Sequence, residues 1–227
     1  MGQVYRGIGD YASAKAIDED TVARRRRVLG ENHPDTLVSA SNLAADLRRL
    51  GELDAAKALD EDTLARKQHV LGENHPDTLF SANNLAADLR LLGQVQAARA
   101  LDEDTLARRR RLLGEDHPDT LTSASNLAAD LRLLGQVQAA RALDEDTLAR
   151  RRRVLGDEHP HTRQSAYDLA SDLRSLGEHD AAQQIESEWP GPQSARRETE
   201  PGRWRRLLDS WARQLSLKRE KKSVDRR

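Results

Sequence analysis

Cysteine is absent from the 227 residues, which excludes disulfides, thiolate metal sites and a cysteine nucleophile. No apolar run approaches the length of a membrane span or a signal-peptide core, so a cytoplasmic location is expected. An excess of either charge is missing too: a third of the residues are charged, but 37 basic and 38 acidic side chains nearly cancel. That balance argues against a surface built for nucleic acid. The start, MGQVYR, has glycine second but arginine sixth and fails the myristoylation pattern. Neither a GxxxxGKS/T phosphate loop nor GxGxxG occurs, and no segment alternates with the period of a strand.

What the chain has is repetition. DEDTLARRRR at 102–111 recurs letter for letter at 144–153, as DEDTVARRRR at 18–27 and as DEDTLARKQH at 60–69. The four starts, at 18, 60, 102 and 144, are evenly spaced, and a period of this length marks an array in which each unit packs on its neighbours. Glycine stands at 9, 30, 51, 72, 93, 114, 135, 156 and 177, at half that interval without exception. A glycine just past a helix end takes the left-handed conformation that stops the helix, so each unit reads as two helices, A and B. In the first full unit, helix A is expected over Pro34 to Leu50 and helix B over Asp54 to Leu71. HPDT at 33, 75 and 117, varied to HPHT at 159, opens each A helix with proline at the first helical position.

On a helical wheel Leu37, Ala40, Leu43, Ala44, Leu47 and Leu50 share one side of helix A, with Val38, Ser41, Asn42, Ala45 and Arg49 opposite. In helix B, Ala55, Ala56, Leu59, Leu64, Val70 and Leu71 supply packing side chains. The expected fold is all-α, a right-handed solenoid of antiparallel helix hairpins. Its expected divisions are an incomplete first repeat over 1–29, repeats over 30–71, 72–113 and 114–155, and a degenerate last repeat over 156–189. A Pro/Gly-rich linker over 190–202 and a basic amphipathic helix over 203–227 follow. The sheared first unit leads to the expectation that the chain was cut from a longer array.

The pattern resembles the tetratricopeptide repeat in the 42-residue form of kinesin light chains. The resemblance rests on Asn83-Asn84-Leu85-Ala86, on Gly93 and Ala98, and on the loop Leu113-Gly114-Glu115-Asp116-His117-Pro118. The aspartate- and arginine-rich variant is most similar to actinobacterial arrays associated with NB-ARC/STAND signalling ATPases, which implies a nucleotide-binding signalling ATPase as a partner. Where that family usually places an aromatic in helix B, this chain has Asp60, Asp102 and Asp144, and a looser helix–helix contact is expected.

The charged motif reads as a solvated, helix-stabilising face. Four consecutive arginines sweep around the axis and cannot present one basic surface. Asp20 and Arg24, Asp104 and Arg108, and Asp146 and Arg150 stand in the favourable acid-first i,i+4 order. No metal, cofactor or catalytic residue is expected: His33, His75, His117 and His159 occupy identical loops one unit apart, and catalytic sites break repeat symmetry.

Binding is expected on helix A. Across the three full units that helix varies only at Val38/Phe80/Thr122, Ser41/Asn83/Ser125 and Arg49/Leu91/Leu133. One reading is that exposed positions drift; the other is that they line a concave groove and choose a ligand, with Tyr167 the counterpart in the last unit. Asn42, Asn84 and Asn126 form a constant row beside them, interrupted by Asp168, and the resemblance implies that such asparagines hold a bound peptide. Arg48, Arg90, Arg132 and Arg174 form one edge row and Asp46, Asp88, Asp130 and Asp172 another, either meeting ligand or pairing between units. The tail carries ten basic and three acidic side chains over 203–227, and Trp204, Leu207, Leu208, Trp211 and Leu215 share one face. It either caps the array or lies on an anionic membrane or partner. The leading expectation is a non-catalytic scaffold or sensor that binds a peptide or protein in the groove, with no nucleic acid along the array. The alternative is an adaptor targeted to anionic membrane or nucleic acid by its tail.

Overall fold

The computed structural model describes Tyr5 and residues 7–189; the linker and the tail face of Trp204, Leu207, Leu208, Trp211 and Leu215 lie outside the described residues. The chain divides into two units, Met1–Ile185 and Glu186–Arg227. Among the described residues there are only helices: α1 (Tyr11–Leu29), α2 (Pro34–Leu50), α3 (Leu53–Leu71), α4 (Pro76–Leu91), α5 (Val95–Leu113), α6 (Pro118–Leu133), α7 (Val137–Leu155), α8 (Pro160–Ser175) and α9 (His179–Glu188). None is long and apolar enough to cross a membrane. From α1 to α8 each helix packs on the next, and A helices of adjacent units, α2 with α4 and α4 with α6, also touch.

Two kinds of glycine turn join the helices. Gly51 closes α2 in the left-handed region (φ 83°, ψ 8°) and its N–H donates to Arg48 O, while Glu52 N–H reaches Leu47 O. This capping arrangement satisfies carbonyls that the helix end leaves open. Gly72 follows α3 at φ 90° and ψ 159°, a backbone region that side-chain-bearing residues do not enter.

The A helices start where HPDT predicts. His33, His75 and His117 each occupy the N-cap, and their Nδ1 atoms accept from the main-chain N–H of Asp35, Asp77 and Asp119 at 3.2, 3.1 and 3.1 Å. His159 does the same for the N–H of His161 at 3.2 Å. The histidine rows are thereby helix caps. His117→Ala should lower stability by about 0.5–2 kcal/mol, as loss of an N-cap side chain does, and His117→Asn should retain most of it. Chemical denaturation of the two variants checks this; equal losses would mean that the imidazole serves packing and not the cap.

Each A helix is sandwiched between two B helices. Ala82, Leu85, Ala86 and Leu89 of α4 pack with Leu64 of the preceding unit and with Ala98 and Leu101 of their own. Leu106, Ala124, Leu127, Ala128, Leu131, Ala140 and Leu143 repeat the arrangement one unit on. Ala86, Ala98, Ala128 and Ala140 are fully buried, so the backbones approach closely. Some expected core positions are wrong. Leu50 is 39 % and Val70 42 % exposed, and Ala55 is exposed as well. Leu50 and Val70 fall in the last turn of their helices.

Candidate functional site

The repeated charged motif separates into distinct roles once folded. Asp104 and Arg108 form the expected i,i+4 pair at 2.6 Å, as do Asp20 with Arg24 at 2.8 Å and Asp146 with Arg150 at 2.7 Å. Glu103 pairs with Arg99 at 2.8 Å and Arg110 with Glu115 at 3.1 Å. The expectation of a wholly solvated face is nevertheless corrected at two positions per unit. Asp60, Asp102 and Asp144 are buried, and so are Lys67, Arg109 and Arg151.

The buried cations join one unit to the next. Lys67 donates to Ser81 Oγ at 2.8 Å and to Ser41 Oγ at 3.2 Å. Arg109 donates to Asp119 O at 2.9 Å and Ser123 Oγ at 2.8 Å, and Arg151 to His161 O at 3.1 Å and Ser165 Oγ at 2.7 Å. Each therefore ties a B helix to the first turns of the next A helix. Burial holds the pKa of Lys67 below the ordinary lysine value.

The buried aspartates, where a looser helix contact is expected, form clamps. Arg90 reaches Asp102 of its own unit at 2.8 Å, Asp130 of the next at 2.5 Å and the main-chain oxygen of Asn126 at 3.2 Å. Arg132 binds Asp144 at 2.7 Å and Asp172 at 2.5 Å. Arg48 likewise joins Asp60 at 2.8 Å, Asp88, and the oxygen of Asn84 at 3.2 Å. Of the two readings of the arginine and aspartate rows, pairing between units is the one realised at Arg48, Arg90 and Arg132. Arg174, in the last unit, is exposed.

Each clamp sets two carboxylates against one guanidinium. Burial, and then the neighbouring Asp88, push the Asp60 carboxyl up to about 8. Burial raises Asp102 to about 7 and Asp144 to about 8, against the opposing pull of Arg90 and Arg132. Asp60 Oδ1 and Asp88 Oδ2 are buried and accept no hydrogen bond from another group, an arrangement that a proton shared between the two carboxyls satisfies.

The candidate groove residues part into two sets. Ser41 and Asn83 are buried, a correction to their expected role in choosing a ligand, while Ser125 is half-buried like Asn126 beside it. Asn83 donates to Asp102 Oδ1 at 2.8 Å and accepts from Ser123 Oγ at 3.3 Å, Ser41 accepts from Lys67, and Ser125 returns its hydroxyl to Leu121 O at 3.2 Å. One residue on from an exposed position rotates by about 100° and meets the adjoining helices. Tyr167, in the same row, is half-buried.

The other set stays open. Val38 and Phe80 are 43 % and 55 % exposed, and Thr122 is exposed. Asn42 is exposed and Asn84 and Asn126 are half-buried, and their side-chain amides make no hydrogen bond to any described residue. Spacings of four, seven and eleven residues place Phe80, Asn84, Ala87 and Leu91 on one strip of α4, and Thr122, Asn126, Ala129 and Leu133 on the matching strip of α6. These strips carry no charged residue in a chain that is 33 % charged. The described residues hold no group of three or more His, Asp or Glu side chains arranged for a metal.

The paired-helix unit, with alanines at every close approach, is reflected in sequence: a tetratricopeptide repeat model matches residues 1–69, 38–110, 77–149 and 119–188. The chain belongs to the tetratricopeptide repeat family. Among solved structures, this tetratricopeptide array is similar to the kinesin light chain-like protein of Podosopora anserina with nearly identical TPR-like repeats. That protein is 30 % identical, with 87 % of this chain and 94 % of the other covered and a TM-score of 0.72. BtubC (BKLC) from P. vanneervenii shares the fold at 22 % identity and a TM-score of 0.70, over 87 % of this chain and 82 % of that one. MamA from Desulfovibrio magneticus does so at 13 % identity and a TM-score of 0.57, over 82 % of this chain and 88 % of that one. No curated protein matches.

Proposed function

We propose that this tetratricopeptide array is a non-catalytic scaffold or sensor module that holds an extended segment of a protein partner along the exposed strips of its A helices. The observation that carries this reading is the row of Asn42, Asn84 and Asn126, whose amides lack partners among the described residues while the surrounding polar side chains are engaged. An asparagine offers two donors and an acceptor, which suits the alternating groups of an extended backbone whatever its sequence. The resemblance to arrays carried by NB-ARC/STAND ATPases makes a nucleotide-binding signalling ATPase of the cytoplasm the candidate partner protein.

The test uses a peptide selected on the whole chain from a phage-displayed short-peptide library. Each lost hydrogen bond weakens binding by about 0.5–1.5 kcal/mol, so Asn84→Ala with Asn126→Ala should reduce affinity tenfold or more. Because neither amide has a partner within the described chain, the melting temperature should stay where it was. Normal binding together with early melting would make the row structural and defeat the reading.

A further inference from the structure

The exposed strips differ along the array in a way that names a class of ligand. The single phenylalanine of the whole chain is Phe80, and it stands 55 % exposed on α4 instead of in the core. An exposed aromatic of this kind offers rigid apolar contact area. Beside the α4 and α6 strips Arg90 and Arg132 cannot recruit an acidic ligand, because each already holds two carboxylates; Arg49, on the α2 strip, donates to Tyr11 Oη at 3.3 Å.

The last junction places its third acid differently. In the first, Arg48 and Lys67 face Asp60, Asp88 and Asp77; in the second, Arg90 and Arg109 face Asp102, Asp130 and Asp119. In the third, Arg132 and Arg151 face Asp144, Asp172 and Asp168. The number of acids is the same, but where Asp77 and Asp119 stand in the first turns of α4 and α6, α8 has His161, and its third acid stands on the strip instead. That acid, Asp168, sits at the asparagine position of α8, and its Oδ1 accepts from Gln164 on the same strip at 2.9 Å. Burial holds its pKa above the ordinary aspartate value despite Arg132, so a ligand cation beside it relieves an unfavourable charge.

Resting on the reading of the A-helix strips as a peptide groove, we infer that the partner is an extended, non-acidic segment. It sets an aromatic or large aliphatic side chain on Phe80 and a lysine or arginine beside Asp168, with uncharged residues between. Phe80 is the apolar anchor, and Asp168 sets the direction in which the segment lies.

The experiment is selection of a phage-displayed short-peptide library on the whole chain, followed by affinity measurement on variants whose melting curves match the parent. Enriched sequences should carry an apolar residue with a basic residue at a fixed distance on one side of it, and should be depleted in acids. Phe80→Ala should weaken a selected peptide on the order of tenfold, as truncation of an interface anchor does. Asp168→Asn should weaken it by up to roughly fivefold, and replacing the peptide's basic residue with glutamine should abolish that difference. An acidic consensus, or selected peptides indifferent to both Phe80→Ala and Asp168→Asn yet weakened by Asn84→Ala with Asn126→Ala, would overturn the ligand class while the groove stands. Failure to enrich any sequence, or indifference to the asparagine pair as well, would overturn both.

Discussion

Arg90→Met should destabilise the protein by about 3–5 kcal/mol at pH 8, the loss expected when one partner of a buried ion pair is removed and the other charge stays behind. Asp102 and Asp130 are both fully buried, and Arg90 is the cation that joins them across the junction between two units. Methionine matches the aliphatic stem but leaves two carboxylates facing each other. Arg90→Lys should recover only part of the loss, because a single ammonium cannot span two carboxylates and a main-chain oxygen as the planar guanidinium does. At pH 5 the methionine variant should lose less, since protonation then silences the carboxylate that burial has already raised. Urea unfolding at the two pH values measures both numbers. A loss below about 1 kcal/mol at pH 8 would show that solvent reaches the clamp, where an ion pair is worth no more than that, and that the units are held by their leucines and alanines alone.

The second large effect is on pH dependence. Asp60, Asp102 and Asp144 have folded pKa values of about 8, 7 and 8 against an ordinary value of 3.8. The folded state thus binds protons that the unfolded chain has released. Stability from these groups is fully present below about pH 4 and is lost as pH rises through 7 to 8. The ceiling is about 1.4 kcal/mol per pH unit for each group. Exposed acids oppose this at low pH: Asp116 is held below the ordinary range by Arg153 and Arg150, and its contribution disappears on acidification. A stability maximum on the acid side of neutrality follows. Asp144→Asn should flatten the fall by one junction and stabilise the protein at pH 8.5, because the amide carries no charge to be stripped of water and still accepts from Arg132. Melting temperatures that rise between pH 5.5 and 8.5, or a variant less stable than the parent at pH 8.5, would contradict the raised pKa values of the clamp carboxyls.

The clamps also mark where sequence reading succeeds and where it stops. Helix limits are local signals: Gly51 and the HPDT loop act within a few residues of themselves and the structure follows them, whereas Gly72 ends its helix at ψ 159° instead of in the left-handed conformation expected of every such glycine. The i,i+4 pairs such as Asp104 with Arg108 are legible for the same reason. The role of Asp60 is not, because its partners Arg48 and Asp88 stand on two other helices, one in its own unit and one in the next. No pattern within a single helix links the three. A signal is present even so. The position that takes a large aromatic in the resembled family is an interior position, and an aspartate constant there at 60, 102 and 144 needs a buried cation. Asn83 and Asn84 show the same limit at finer scale. Adjacent and identical, they differ by one step around the helix, and the inter-unit packing alone makes the first a structural donor to Asp102 and leaves the second without a partner among the described residues.

That pair of neighbours gives the most direct test of the central claim. Side-chain amide resonances of the asparagines, followed by nuclear magnetic resonance as a library-selected peptide is titrated into the whole chain, separate the open row from the interior one. The account predicts that Asn42, Asn84 and Asn126 shift progressively and saturably with the peptide, while Asn83, held between Asp102 and Ser123, stays in place. Saturable binding that leaves the three open amides unmoved would contradict it.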